Sequence, residues 1–249
     1  MKIAIPSHNR VNILKEKTYQ LLLSRGFTED EIFIFTDNYD EYKDEFKNVI
    51  KSLDTITGKR NHIIEYFDEG EHIVEMDDDI DDIQTTKKEV KNESVMNLKD
   101  FFEKNFDMLF SGGMWGINST DNNFFASGED KYGLQLVSIC ATLTGYINDK
   151  SIRMTLKEKE DFERVLIYYH KKKPVLKRCG YGIKTKYWKS KGGIASDYNF
   201  DERVVIQKEA ANSLVEQYPE LVYITERKNG IADIKFRRKK DLMTYYNKN

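Results

Sequence analysis

Five carboxylates fall within six residues in Asp77-Asp78-Asp79-Ile80-Asp81-Asp82. Side chains alternate across an extended chain, so Asp77 and Asp79 are expected to point one way and Asp78 another. Two carboxylates on one side can hold a hard divalent cation and leave positions open for phosphate oxygens. Such a cation neutralises a diphosphate leaving group as its bond breaks. An EF-hand loop starting at Asp77 fails, because its sixth position is Asp82 rather than Gly and its twelfth is Lys88 rather than Glu. The competing reading is a solvated acidic turn.

The elements around this cluster alternate between strand and helix. Lys2 to Ile5 is a short apolar strand stopping at Pro6, and Asn12 is placed to cap a helix that Gly26 ends. Ile32 to Phe35 is a continuous apolar run, as in a strand buried on both faces. Thr57 to Phe67 reads as helix, and His72 to Met76 as a strand that ends in the three aspartates. The alternation predicts an α/β fold with a parallel sheet covered by helices. Such sheets bind ligands beyond the carboxyl ends of their strands. Pro6-Ser7-His8-Asn9-Arg10, Thr36-Asp37-Asn38 and Asp77-Asp78-Asp79 all fall at such ends, so the fold would gather them on one rim.

The rest of the chain is less regular. Asn97 to Phe110 reads as an amphipathic helix, Ser111 to Gly116 as a glycine-rich turn or loop, and Leu134 to Ile147 as strand. Asp161 to Tyr169 reads as helix, Val175 to Gly182 as strand and Arg203 to Tyr218 as helix. Val222 to Thr225 and Ile231 to Phe236 could pair as a hairpin around Asn229-Gly230. No linker, internal repeat or long low-complexity segment is visible, so residues 1–249 are read as one domain. Residues 1–110 form its first half and 111–249 its second.

Pro6-Ser7-His8-Asn9-Arg10, Ile34-Phe35-Thr36-Asp37, Gly58-Lys59-Arg60-Asn61 and His72-Ile73-Val74-Glu75-Met76-Asp77-Asp78-Asp79 occur in the order and spacing of known enzymes. In this the chain resembles nucleotide-sugar glycosyltransferases of the GT-A fold, over about residues 1–85. More narrowly it looks like the bacteriophage DNA-base glycosyltransferases, the TET/JBP-associated family. The resemblance implies a GT-A type, Rossmann-like, mostly parallel sheet flanked by helices, with a mixed α+β C-terminal acceptor part. It implies a UDP-sugar donor, Mn²⁺ or Mg²⁺, and a hydroxymethylated pyrimidine of DNA as acceptor. Pro6, Ser7 and Arg10 would line the nucleotide pocket, Asp37 would bond the uracil or ribose, and Arg60 would approach the diphosphate. Asp77 and Asp79 would bind the metal, and Asp78 could contact the ribose or cap the next segment. A strand-to-helix turn, a helix cap at Asp37 and a surface arginine at Arg60 are the plainer readings.

The resemblance also directs attention to Glu160-Asp161 at a helix start, where a carboxylate can take the proton from the attacking hydroxyl. Asp161 is the first choice for that base and Glu160 the second; acids are also favoured in the first turn of any helix. Trp115 could stack on a sugar or base, or belong to the core.

The net charge of −2 conceals an asymmetry. Residues 1–125 hold 15 Lys+Arg against 26 Asp+Glu, giving −11, and residues 126–249 hold 25 against 16, giving +9. Lys150 to Lys191 alone carries 14 Lys+Arg and 4 Asp+Glu, interleaved with aromatics. Lysines and arginines neutralise phosphates, and aromatics stack a displaced base. A modified base in a duplex would need flipping out to reach the donor. Lys171, Lys172, Lys173, Arg178, Lys189 and Lys191, with Trp115, are the candidate DNA or acceptor residues. Residues 189–193 could form a mobile closing loop, and Arg237-Arg238-Lys239-Lys240 is a second basic patch. A solvated lysine-rich face is the plainer reading.

Several classes are set aside. No apolar run approaches the ~18–20 residues of a membrane span. Met1 to Ile5 runs into Pro6 without a secretion-signal pattern, and Cys140 and Cys179 stand without a CxxC pair. A reduced, cytoplasmic protein is expected, in the host cytoplasm if the chain comes from a phage. A phosphatase of the DxD nucleophile type is disfavoured by Asp79-Ile80-Asp81-Asp82-Ile83. A glycosyltransferase acting on a glycan, lipid or protein, or a non-enzymatic nucleic-acid-binding protein on a GT-A scaffold, are the alternatives. The oligomeric state is left open.

Overall fold

The computed structural model describes residues 1–109, 112–185, 199–227 and 230–237. β1 (Lys2–Ser7) pairs in parallel with β2 (Ile32–Thr36) and with β4 (His72–Met76), and β2 pairs in parallel with the edge strand β3 (Asn48–Lys51). The other side of β4 carries β8 (Leu143–Ile147), antiparallel, followed by β6 (Met114–Asn118), β9 (Val175–Thr185) and β5 (Ile80–Thr85). β7 (Lys131–Gly133) also pairs with β9. The expected parallel sheet is therefore present over β1 to β4, and the remaining strands make it mixed.

Strand alternation sorts the apolar side chains onto two faces. Ile3, Ile5, Ile32, Ile34, Val74 and Met76 pack on one side with Leu14, Leu22, Phe102 and Trp115. Ala4, Phe35 and Ile73 pack on the other with Ile63, Ile64, Val165 and Tyr168. The first face is covered by the helical run α1 (Val11–Leu14), a π turn (Lys15–Tyr19) and α2 (Gln20–Ser24), and by α5 (Leu98–Asp107). α4 (Ile56–Tyr66) and α6 (Glu160–His170) cover the second; α3 (Tyr39–Tyr42) is a short turn beside β3. A third cluster joins Leu166 of α6 to Ala211 and Leu214 of α7 (Phe200–Gln217), and to Val222 and Ile234 of the hairpin β10 (Val222–Glu226) and β11 (Ala232–Phe236). Among the described residues no helix is long and apolar enough to cross a membrane.

Helix starts follow local chemistry. Thr55 caps α4 through the Gly58 N–H, Asn97 caps α5 through the Asp100 N–H, and Asn199 forms a capping box with Glu202 on α7. Asn12 does not cap its helix, which starts at Val11 behind Arg10 with no side-chain cap.

Three stretches depart from the sequence expectations. Of the expected glycine-rich turn, whose first residue Ser111 lies outside the described residues, Met114 to Gly116 belong to a fully buried strand, Met114–Asn118. Its glycines are there for close approach, since a Cβ on Gly113 would lie 2.2 Å from the Pro174 carbonyl oxygen and one on Gly116 would lie 2.4 Å from Ile139. Leu134 to Ile147 is strand only from Leu143, because residues 134–142 cross the second face, burying Val137 and Ile139. Ile80 to Thr85 is a strand hidden by its aspartates. An irregularity in its pairing between Ile80 and Asp82 lets Ile80 and Ile83 be buried together despite their odd spacing.

Trp115 is fully buried against Phe101, Phe102 and Phe106. Opposite it in the ladder is Gly145, where a Cβ would lie 2.1 Å from the indole Nε1. Gly145→Ala is therefore expected to cost roughly 1–3 kcal/mol of unfolding free energy through overpacking. Gly180→Ala, where nothing lies within 4 Å of the new Cβ, should stay within about 0.5 kcal/mol. Equal denaturant midpoints for the two variants would contradict this packing.

Candidate active site

Beyond the carboxyl ends of β1 and β4, with the N-termini of α4 and α6 beside them, lies a cavity of about 400 Å³. That is within the ~300–1,000 Å³ usual for small-molecule sites. Pro6, Ser7, His8, Arg10, Arg60, Asp77, Asp78, Glu160 and Asp161 all line it, so residues separated by more than 150 positions meet as the strand order predicts.

The β1 end is built around Asp78, which is buried. Ser7 Oγ donates to its carboxylate at 2.7 Å and Arg10 Nη1 at 3.0 Å, while Ser7 Oγ also meets the Tyr42 hydroxyl at 2.8 Å. Burial pushes the Asp78 carboxyl up, against the pull of Arg10 and Ser7. Asp37 neither lines the cavity nor caps a helix. Its carboxylate holds Lys59 at 2.7 Å and His8 at 2.9 Å, and these two residues form the wall. Asp37, for which a contact with the uracil or ribose was expected, stands behind Lys59 and His8 in this structure.

The aspartates do not follow strand alternation, because the chain turns between β4 and β5. Thr18 Oγ1 fastens that turn, donating to the Asp77 carbonyl and accepting from the Ile80 N–H. Asp77 turns toward Arg60 at 3.4 Å, whereas Asp78 and Asp79 share Arg10, Asp79 at 3.5 Å. Asp81 pairs with Lys17 and Asp82 with Arg25. The expectation that Asp77 and Asp79 face together while Asp78 points elsewhere is corrected accordingly. Among the described residues no three or more metal-ligating side chains converge.

A divalent cation nonetheless suits the charge at this turn. Burial, with Asp79 and Asp78 adding to it and Arg60 opposing, pushes the Asp77 carboxyl up to about 7. Arg60 and Arg10 already bring positive charge to this turn, and Asp77 and Asp79, the residues that would hold a cation, face different guanidiniums and would have to turn together to share it.

Arg60 is not a surface residue: it is buried, and its guanidinium already meets three carboxylates. Glu75 lies at 2.7 Å, Glu160 at 3.3 Å and Asp77 at 3.4 Å. Glu75 is on the β4 face shared with Ile73, completely buried, and also accepts from Arg164 Nη2 at 3.0 Å and the Tyr146 hydroxyl at 2.6 Å. Arg60 therefore ties β4, the aspartate turn and α6 together; a clamp on a diphosphate would compete with these pairs.

The start of α6 is held by Glu163, whose carboxylate accepts from the backbone N–H groups of Thr155 and Leu156. Glu160 is engaged by Arg60. Asp161 is half-buried and, among the described residues, accepts one hydrogen bond, from the Phe162 N–H at 2.9 Å, through Oδ1. Its carboxyl is pushed up to about 7, first by burial and then by Glu160. A carboxylate poised near neutrality with an oxygen to spare has the properties of a general base, which favours Asp161 over Glu160.

The proposed acceptor residues do not assemble here. Trp115 is in the core and cannot stack on a ligand. Lys171, Lys172 and Lys173 follow the far end of α6, the first of them about 15 Å along the helix from Asp161 at ~1.5 Å per residue. There Lys171 bonds Ser151 and Lys173 pairs with Asp149. Arg178 is taken up by Asp130 and Asn105 and stacks over Tyr181. Lys189, Lys191, the loop 189–193, Asn229 and residues 238–240 lie outside the described residues. The cavity instead takes Lys59 and His8, and Lys159, Arg203, Gln207, Arg227 and Asp233 from α7, the hairpin and the head of α6. Lys59 stood beside Arg60, and His8 between Ser7 and Arg10, in the motifs; Arg203, Gln207, Arg227 and Asp233 carry no local sequence signal.

No family model matches the chain, and no curated protein does. Solved structures do. The fold is similar to that of S. aureus TarS residues 1–349, at a TM-score of 0.50 and 14% identity, over 86% of this chain and 66% of that one. It is also similar to the same segment in complex with UDP-GlcNAc, at a TM-score of 0.51 and 14% identity, over 86% of this chain and 67% of the other. The chain thus spans about two thirds of the TarS segment. At this identity the likeness establishes the fold alone, a GT-A type sheet flanked by helices.

The raised Asp161 value carries a stability consequence. Ionisation is harder in the folded state than in the unfolded chain, so this group favours folding fully below about pH 4 and loses that contribution as pH rises through about 7. The melting temperature of Asp161→Asn relative to the unaltered protein should therefore climb between about pH 5 and pH 8. A difference that stays flat across that range would show that Asp161 titrates as an ordinary surface acid.

Proposed function

We propose that this chain is a glycosyltransferase that moves a sugar from a UDP-sugar to an acceptor hydroxyl. The observation that carries the reading is Asp161, a carboxylate with a spare oxygen, lining the same cavity as Asp77, Asp78 and Ser7. Residues 1–110 supply the donor half in this reading, and 111–249 the acceptor half. Pro6, Ser7, His8 and Arg10 bound the nucleotide side. Asp77 and Asp79 are the residues to hold Mn²⁺ or Mg²⁺, which would supply positive charge to the departing diphosphate. Asp161 takes the proton from the acceptor hydroxyl, whose oxygen bonds to the anomeric carbon as the bond to UDP breaks. Arg60, through Glu160, Asp77 and Glu75, keeps the two carboxylate groups in register.

For the acceptor, a hydroxymethylated pyrimidine in DNA is supported by the motif resemblance and by the +9 of residues 126–249. A glycan, lipid or protein acceptor is favoured by the remoteness of Lys171, Lys172 and Lys173 from the cavity.

The test is incubation with Mn²⁺, a panel of UDP-sugars, and DNA with or without 5-hydroxymethylcytosine or 5-hydroxymethyluracil, read by mass spectrometry of the bases and by UDP release. A base shifted by one sugar mass is expected, with turnover rising as pH increases through about 7. Asp161→Asn should lower turnover by about 10²–10⁴-fold and Asp77→Asn should abolish its metal dependence, both with cooperative unfolding retained. UDP release without a DNA mass shift would remove the DNA acceptor, and no UDP release under any condition would remove the enzyme.

A further inference from the structure

Away from the cavity, two loops meet in an apolar tip. Phe124 and Phe125 are 82% and 72% exposed, the most exposed phenylalanines among the described residues, and their rings meet edge to face at 4.9 Å. The loop after β5 brings Val90, also exposed, beside them. Asn123 Nδ2 donates to the Val90 carbonyl at 3.0 Å, and Asn92 Nδ2 donates to the Asp121 carbonyl, so the two loops are tied together. Clustered apolar exposure marks an interaction site, where single exposed apolar side chains do not.

The backbone of the tip is prepared for apolar surroundings. The Phe124 N–H donates to Asn122 Oδ1 at 3.0 Å, and the N–H groups of Phe125 and Ala126 donate to the Asn122 carbonyl at 3.0 and 2.8 Å. Ala126 is fully buried behind them and anchors the turn. Three consecutive donors therefore need no water, which is what backbone entering a lipid layer requires. The position of the tip is set by the sheet. β8 runs antiparallel to β4, and β6 antiparallel to β8, so β6 ends at Asn118 on the edge where β4 ends at Met76. The phenylalanines are on the loop after β6, so the tip and the cavity share one edge of the sheet.

We propose that Phe124, Phe125 and Val90 form an interfacial tip that seats the protein on an anionic lipid surface, with the cavity edge of the sheet toward it. The rings enter the boundary between headgroups and acyl chains, about 5–10 Å deep. Lys87, Lys88 and Lys91 stand exposed around Val90, with Glu89 as the acid among them, and their ammonium groups meet the headgroup phosphates. Asp121 and Glu129 on the second loop offset part of this charge. Insertion of the rings therefore carries the binding, and the lysines select the headgroup. Two phenylalanines offer roughly 300–500 Å², short of the ~800 Å² per partner of a standard protein interface, which favours lipid over a second copy of the chain.

The test is co-sedimentation of the full chain with vesicles of phosphatidylcholine alone and of phosphatidylcholine mixed with phosphatidylglycerol, with sedimentation velocity of the free protein beside it. No sugar donor is present, so the outcome is independent of the glycosyltransferase reading. The unaltered protein is expected to bind the mixed vesicles more tightly than the neutral ones. Phe124→Ser combined with Phe125→Ser should weaken that binding by about tenfold or more at an unchanged melting temperature, since both side chains are exposed. Lys87→Glu with Lys88→Glu and Lys91→Glu should remove the preference for phosphatidylglycerol. Lys171→Glu with Lys172→Glu, beyond the far end of α6, should leave binding as it was. No binding to either vesicle, or equal binding by the Phe124→Ser, Phe125→Ser protein, would overturn the proposal. So would loss of binding on reversal of Lys171 and Lys172, which would mark a general attraction to the basic half. A dimer that the two serine substitutions convert to monomer would overturn it as well, by assigning the tip to a second copy.

Discussion

A carboxylate on the apolar face of a central strand has to be paired, and Glu75 is such a carboxylate. It sits between β1 and β8 with no exposed surface, on the side of β4 where Ile73 joins the core. Left alone it would be neutral or would expel the elements covering it. Arg60 from α4, Arg164 from α6 and the Tyr146 hydroxyl from β8 converge on it, and the opposing burial costs and charges leave its carboxyl below the ordinary value. Removing one member of such a cluster typically costs about 3–5 kcal/mol, because the remaining charges stay buried without a match. The cluster therefore sets where two helices can lie on the sheet.

The site inherits its geometry from that constraint. Arg60 reaches from Glu75 to both Asp77 and Glu160, so the end of β4 and the head of α6 are held by one guanidinium. Asn61, one residue on, exchanges hydrogen bonds with the backbone of Met154, and Glu163 wraps the next turn. Groups so fixed do not need to reorganise as charge develops, which is what electrostatic stabilisation of a transition state requires. The price is paid in titration: Asp77 and Asp161 are both pushed up to about 7.

What could be read in the sequence followed physical periodicity. The apolar strands Ile3–Ile5 and Ile32–Phe35, and the placing of polar clusters after them, are local patterns, and they lead to the fold and to the rim at Ser7, Arg10 and Asp77, whereas Asp161 was reached through the resemblance to GT-A glycosyltransferases. Features set by long-range packing were not legible. The strand at Met114–Asn118 is disguised by glycines needed for close approach to Pro174 and Ile139, and Ile80–Thr85 by an irregular register. The division of the five aspartates among Arg60, Arg10, Lys17 and Arg25 depends on a turn that Thr18 holds from 60 residues away. The basic stretch around Lys171 was read by charge and interleaved aromatics, which do not say at which end of a helix the charge lies.

The central claim is that Glu75 and its partners act as a unit that positions the site. A double-mutant cycle on Glu75→Gln and Arg164→Met, read as unfolding free energy in denaturant, tests it most directly. A coupling energy of about 1–3 kcal/mol between the two positions is predicted, as for residues of one buried network. Additive effects, with coupling indistinguishable from zero, would contradict it.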